Sequence, residues 1–170
     1  MARATWLYAT FVRDLSPQDA LRRIGVTPGP LGGSGFGVAA YAADGGTALI
    51  ECGWAGIIYN RADLLSAGGV AAAVFATIKN DGFAYCLDGQ LVTTFDLYSY
   101  PYRRGADPDR LQAAVKALGM DIDGELPDFP HDIIPRALAL AERATGVHLS
   151  PTCYAGSALI GPTDHLDPYP

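Results

Sequence analysis

The sequence Ala-Tyr-x-x-Asp-Gly occurs twice, at residues 40–45 and again at 84–89, and each copy sets Asp-Gly between two apolar, β-favouring runs. Asp-Gly supplies the two positive-φ positions of a type I′ turn, which reverses a strand within two residues. Two β-hairpins therefore frame whatever this chain folds into.

Helix punctuation shares the offset between the hairpins. Ser16-Pro17-Gln18-Asp19 places a capping hydroxyl, a proline at the first helical position and an acid three residues after the cap. Asn60-Arg61-Ala62-Asp63 repeats the cap-x-x-acid pattern, Leu65 matches Leu21, and Gly69 matches the helix-ending Gly25. A βαββ duplication accounts for this, and so does the recurrence of common punctuation, so both readings stand. The halves also differ. Residues 25–37 hold six glycines and two prolines and read as a loop, whereas the second half has Val70, Ala72, Val74, Ala76 and Ile78 alternating on one face of a strand.

The remaining pattern is short. Strands are expected over 5–13, 36–43, 47–54, 83–87 and 90–98. Asp107-Pro108-Asp109 opens a helix with Leu111, Val115 and Leu118 as its apolar stripe and Gly119 as its stop. Pro127 and Pro130 lead to a last helix over 132–145, with Ile134, Leu138 and Ala141 inward and Gly146 at its end. The expected fold is α+β: a mainly antiparallel sheet of about six strands in the order β-α-β-β-α-β-β-β-α-α, with helices packed on it. Residues 1–149 form one domain, and the proline-bearing tail 150–170 packs on that domain or extends from it.

Composition narrows the function. With 170 residues and 49 % hydrophobic content the chain can bury one core. It contains no apolar run near the roughly 20 residues that span a bilayer. Met-Ala-Arg-Ala-Thr-Trp does not read as a secretory leader, so a cytoplasmic location is expected. Eighteen acidic against 12 basic residues, a net charge of −6, oppose binding to a phosphate backbone, which argues against nucleic acid as a partner. Cys52, Cys86 and Cys153 suit neither a disulfide framework nor a zinc cage, and His131, His148 and His165 have no metal-ligand spacing, so no metal or cofactor is expected. Cys153 with His148 or His165 is a formal thiol–imidazole pair without an evident third group. The loop Gly29–Gly37 lacks a phosphate-loop lysine and leads into a strand, so it reads as a connector.

Two surfaces carry candidate function. Period-two alternation puts Leu91, Thr93, Phe95 and Leu97 in the core and turns Val92, Thr94, Asp96, Tyr98, Tyr100 and Tyr102 outward. With Arg103 and Arg104, the residues Asp96, Tyr98, Tyr100 and Tyr102 make a Tyr/Arg surface of the kind that dominates protein interfaces. It points to a non-catalytic module of the immunity, adaptor or regulatory type, or, if strand 90–98 is an edge, to a homodimer; a covering helix is the plain alternative. The rival is a small-molecule binder or enzyme. Glu51 and Asp96 each close the second strand of a hairpin and would meet for acid–base work if the hairpins were adjacent, with Trp54 either core or pocket wall.

Six segments, taken in order, carry a family likeness: Phe11–Gly25, Glu51–Trp54, Leu65–Gly69, Asp88–Asp96, Arg104–Asp109 and Ala137–Gly146. The chain resembles a family of actinobacterial proteins catalogued only as a domain of unknown function. The resemblance implies a shared fold unit over most of the chain and implies no activity or catalytic residue.

Overall fold

The computed structural model describes residues 6–122 and 131–167, so Pro127 and Pro130, expected to lead into the last helix, lie outside the described residues. Seven strands form one antiparallel sheet: β1 (Trp6–Arg13), β2 (Gly37–Ala43), β3 (Gly46–Cys52), β4 (Val70–Thr77), β5 (Asp81–Leu87), β6 (Gln90–Phe95) and β7 (Leu159–Pro162). Their spatial order is β6-β5-β4-β1-β3-β2-β7. The fold is α+β, as the hairpin pattern requires. Its seventh strand comes from the proline-bearing tail, where Leu159 pairs with Ala40 and Pro162 with Gly37 at the edge.

Local chemistry explains the helices. In α1 (Pro17–Arg23) the Ser16 hydroxyl accepts the Asp19 N–H, and Gly25 at φ 74° lets Val26 N–H reach the Leu21 carbonyl at 2.9 Å. The same ending recurs at Gly119, after α3 (Gln112–Ala117), where Met120 N–H reaches the Val115 carbonyl. That helix starts later than expected: residues 107–110 form a turn in which Asp107 pairs with Arg110 at 2.9 Å. Asn60 likewise does not cap α2 (Ala62–Leu65), because a 3-10 turn over Tyr59–Arg61 comes first and Arg61 occupies the N-cap. In α4 (Ile133–Thr145), Ile133, Ala137, Leu140, Ala141 and Thr145 are buried. The inward stripe is thus rotated from Ile134 and Leu138, and Ile134 is exposed.

Strand alternation divides the core between the two sheet faces. Phe11, Ala48, Val74, Phe83 and Phe95 lie under α3 and α4. Val12, Val38, Leu49 and Ala71 lie under α1 and the segment around Ile57 and Ile58. The glycine loop before β2 is tied to the tail, since Gly29 N–H donates to the Ile160 carbonyl and Ser34 hydrogen-bonds Asp164.

The two Asp-Gly turns differ. At Asp88-Gly89 both residues have positive φ, 48° and 81°, as a type I′ turn demands. At the first turn only Gly45 does, at 89°, because Asp44 is held in a ladder with His148 by two backbone hydrogen bonds of 3.0 and 2.9 Å. The sheet also sets β3, the second strand of one hairpin, inward, but β5, the first strand of the other. The two hairpins therefore do not occupy equivalent places, and their common offset reflects turn chemistry.

Candidate functional site

The sequence-predicted pocket residues do not converge. Strands β5, β4 and β1 separate β6 from β3, so Glu51 and Asp96 stand four inter-strand steps apart, on the order of 19 Å at about 4.8 Å each. Glu51 is buried and turned into the following loop, where its oxygens accept the Ile57 and Ile58 N–H groups at 2.6 and 3.2 Å. Burial raises its pKa, while these backbone N–H groups and Arg61 oppose the rise. Its carboxylate is thus committed to holding the loop. Trp54 is not core: β3 stops at Cys52, Gly53 turns the chain at φ 105°, and the indole is 63 % exposed.

The Tyr/Arg stretch is divided in the same way. A bulge between Tyr85 and Cys86 on the partner strand pairs Thr93 with Tyr85 and Leu91 with Cys86, leaving Val92 as the extra residue. Val92 therefore enters the core and Leu91 faces out, the reverse of simple alternation. After Phe95 the strand ends, and Tyr100–Tyr102 forms a 3-10 turn. Tyr100 is buried edge-on to Phe95, with ring centroids 4.9 Å apart. Arg103 lies over the Tyr100 ring at 4.6 Å and pairs with Asp109 at 2.6 Å. Tyr98 is half-buried and packs on the core beside it, while Tyr102 is exposed. Asp96 and Arg104 instead line a cavity that the other four do not touch. Backbone hydrogen bonds join Arg104 to Thr94 in both directions and Asp107 to Val92, so the outer edge of β6 is already paired. A second copy has no free ladder to join there.

That cavity, of about 540 Å³, lies between α2 and the β5–β6 end of the sheet. Its floor is shallow-sided because β5 contributes Gly82, Ala84 and Cys86; a Cβ on Gly82 would sit 2.5 Å from the Phe75 ring. Tyr59 packs edge-on to Phe75 at 4.6 Å, and its phenol is hydrogen-bonded to Thr94. Burial pushes this phenol up to about 12 and the Cys86 thiol up to about 11, with Asp63 adding to the latter. Both stay protonated near neutral pH, so neither is an activated nucleophile. Asp63, Asp96 and Arg104 supply the charge around the rim.

Phe75 also lines a second hollow, of about 510 Å³, with Trp6, Tyr8, Trp54 and Ile78. Tyr8 stacks on Phe75 at 5.8 Å and donates to the Trp54 carbonyl at 3.2 Å, and Trp54 meets Phe36 edge-on at 5.6 Å. Ile78 is 81 % exposed because β4 ends at Thr77, whose hydroxyl accepts the Lys79 and Asn80 N–H groups. Sequence reasoning missed Trp6 and Ile78 as surface residues. The only local signal was the Lys79-Asn80-Asp81-Gly82 turn, which ends the alternation before Ile78.

No group of three His, Cys, Asp or Glu among the described residues could hold a metal ion, and no described helix is long and apolar enough to cross a membrane. Fold and site together define an α+β protein built on one antiparallel sheet, helix-covered on one face and left partly open on the other. The chain belongs to DUF6461, a family of unknown function, whose family model matches residues 33–159. No curated protein and no solved structure matches it.

Proposed function

We propose that this is a non-catalytic protein-binding module of an actinobacterial cytoplasm, docking a partner on the hollow formed by Trp6, Tyr8, Trp54, Phe75 and Ile78. The observation that supports the reading is the exposure of Trp54, at 63 %, and Ile78, at 81 %, beside one concavity. Exposed apolar clusters of this kind mark interaction sites, and tryptophan is the residue most enriched at binding hot spots. The partner is a protein segment with an apolar anchor and basic flanks. Asp81 and Asp96, against the single cation Lys79, line a neighbouring hollow that shares Phe75, and the chain carries a net charge of −6. Three free cysteines accord with a reducing compartment.

The test is native mass spectrometry of the protein purified from its host, alongside a Trp54→Ser/Ile78→Ser variant and a Tyr102→Ser variant with unchanged melting temperature. A second polypeptide in fixed stoichiometry, lost only from the Trp54/Ile78 variant, is the expected result. Loss from Tyr102→Ser alone would move the site to the Tyr98–Arg104 stretch, and a chain that always emerges alone would end the protein-binding reading.

A further inference from the structure

The cavity between α2 and β6 carries a charge arrangement that the aromatic hollow does not explain. Asp96 and Arg104 line the same 540 Å³ space, and the Tyr59 phenol senses both, the carboxylate raising its pKa and the guanidinium lowering it. Opposite charges so placed ordinarily join. Here the ion pairs among the described residues include neither Asp96 nor Arg104, and neither side chain takes a hydrogen bond there. Each sits in a segment held by its own backbone hydrogen bonds. Arg104 is fixed by its two-way ladder with Thr94, and Asp96 begins the turn closed by Ser99 N–H on its own carbonyl at 2.9 Å.

Across the cavity, α2 contributes Asp63, close enough to the Cys86 thiol to act on it electrostatically. The lining also includes the apolar Ala62, Ala84 and Leu91 and the neutral polar Tyr59, Asn60 and Thr94. The charged lining is thus one cation and two anions, on a surface of mixed apolar and neutral polar residues. Its volume falls in the range of small-molecule sites.

We propose that this cavity binds a basic amino acid as its zwitterion, with the α-carboxylate on Arg104, the α-ammonium on Asp96 and the side-chain cation on Asp63. The apolar stem of the ligand lies over Ala84 and Leu91. A guanidinium is suited to a carboxylate because its planar donor fork engages both oxygens. The Tyr59 and Thr94 hydroxyls are bonded to each other, and Thr94 donates to the Phe83 carbonyl at 2.8 Å, so they line the cavity without adding charge.

Isothermal titration of the whole protein with L-lysine, L-leucine and L-glutamate tests this. Lysine should bind, leucine about tenfold more weakly and glutamate not measurably, since each charge-assisted contact is worth roughly a factor of ten. Arg104→Gln and Asp96→Asn should each weaken lysine by about tenfold, while Asp63→Asn should bring lysine down to leucine. All three side chains are exposed, and equal melting temperatures would establish that the variants fold. No heat with any of the three amino acids, or lysine binding indifferent to Arg104→Gln, would overturn the proposal; the second result marks a cation drawn to an acidic surface.

Discussion

Oε1 of Glu51 lies 2.6 Å from the backbone nitrogen of Ile57, six positions along the chain. This carboxylate holds the segment that carries Tyr59 into the cavity. Glutamine keeps only one acceptor oxygen and turns an amide donor toward the remaining N–H groups. Glu51→Gln should therefore destabilise the protein by about 1–3 kcal/mol, the cost of stranding a buried donor. Urea denaturation measures it, and an unchanged midpoint would mean that the loop holds without the carboxylate.

Tyr100 should respond in the opposite direction. Its hydroxyl is buried and has no hydrogen-bond partner among the described residues. Tyr100→Phe keeps the edge-on contact with Phe95 and removes the unpaired group, so it should stabilise by about 1 kcal/mol. A lower melting temperature would refute this.

The two hairpin turns should tolerate alanine unequally. A Cβ on Gly89 meets nothing within 4 Å, whereas one on Gly45 would lie 2.5 Å from the Gly146 carbonyl oxygen. Both have positive φ, so each substitution costs about 1–2 kcal/mol of backbone strain. Gly45→Ala should cost clearly more, with denaturant midpoints ranking the variants.

Thiol titration separates the cysteines. Cys86 is buried, and its pKa of about 11 leaves almost no thiolate at pH 8. An aromatic disulfide reagent should leave Cys86 unmodified in the folded protein and reach it only on unfolding, as peptide mapping would reveal. Prompt labelling of Cys86 would show that its strand opens.

His148 gives stability a pH dependence. The hydrogen bond and charge of Glu142 raise its pKa above 6.5, so the folded state holds this proton more tightly than the unfolded chain does. The contribution is full below about pH 6.5 and is lost as pH rises through the higher folded value. Glu142→Gln should flatten melting temperature against pH in that window. A profile of unchanged slope would assign the dependence to other groups.

Local chemistry was legible in the sequence and long-range arrangement was not. Ser16, Gly25, Gly119 and Gly146 read correctly because each acts on backbone atoms a few residues away. The separation of Glu51 from Asp96 depends on β1 and β4 entering between the hairpins, and neither hairpin's residues encode that. Alternation failed wherever the chain left the strand early. Trp54, Ile78 and Tyr100 each follow a strand end, and the bulge at Val92 exchanged Leu91 and Val92 while Thr93, Phe95 and Leu97 stayed in the core as expected. The cavity escaped notice because its walls come from α2, β5 and the return through Arg104, three segments far apart in sequence.

Strand β7 has a bearing on synthesis. Gly37 pairs with Pro162, so during translation the outer edge of β2 stays unpaired until nearly all of the intervening chain has been made, on the order of ten seconds at typical bacterial rates. Through that interval the nascent chain offers an open ladder to neighbouring chains. Ribosome-associated chaperones are thus the factors on which the yield of this protein should most depend.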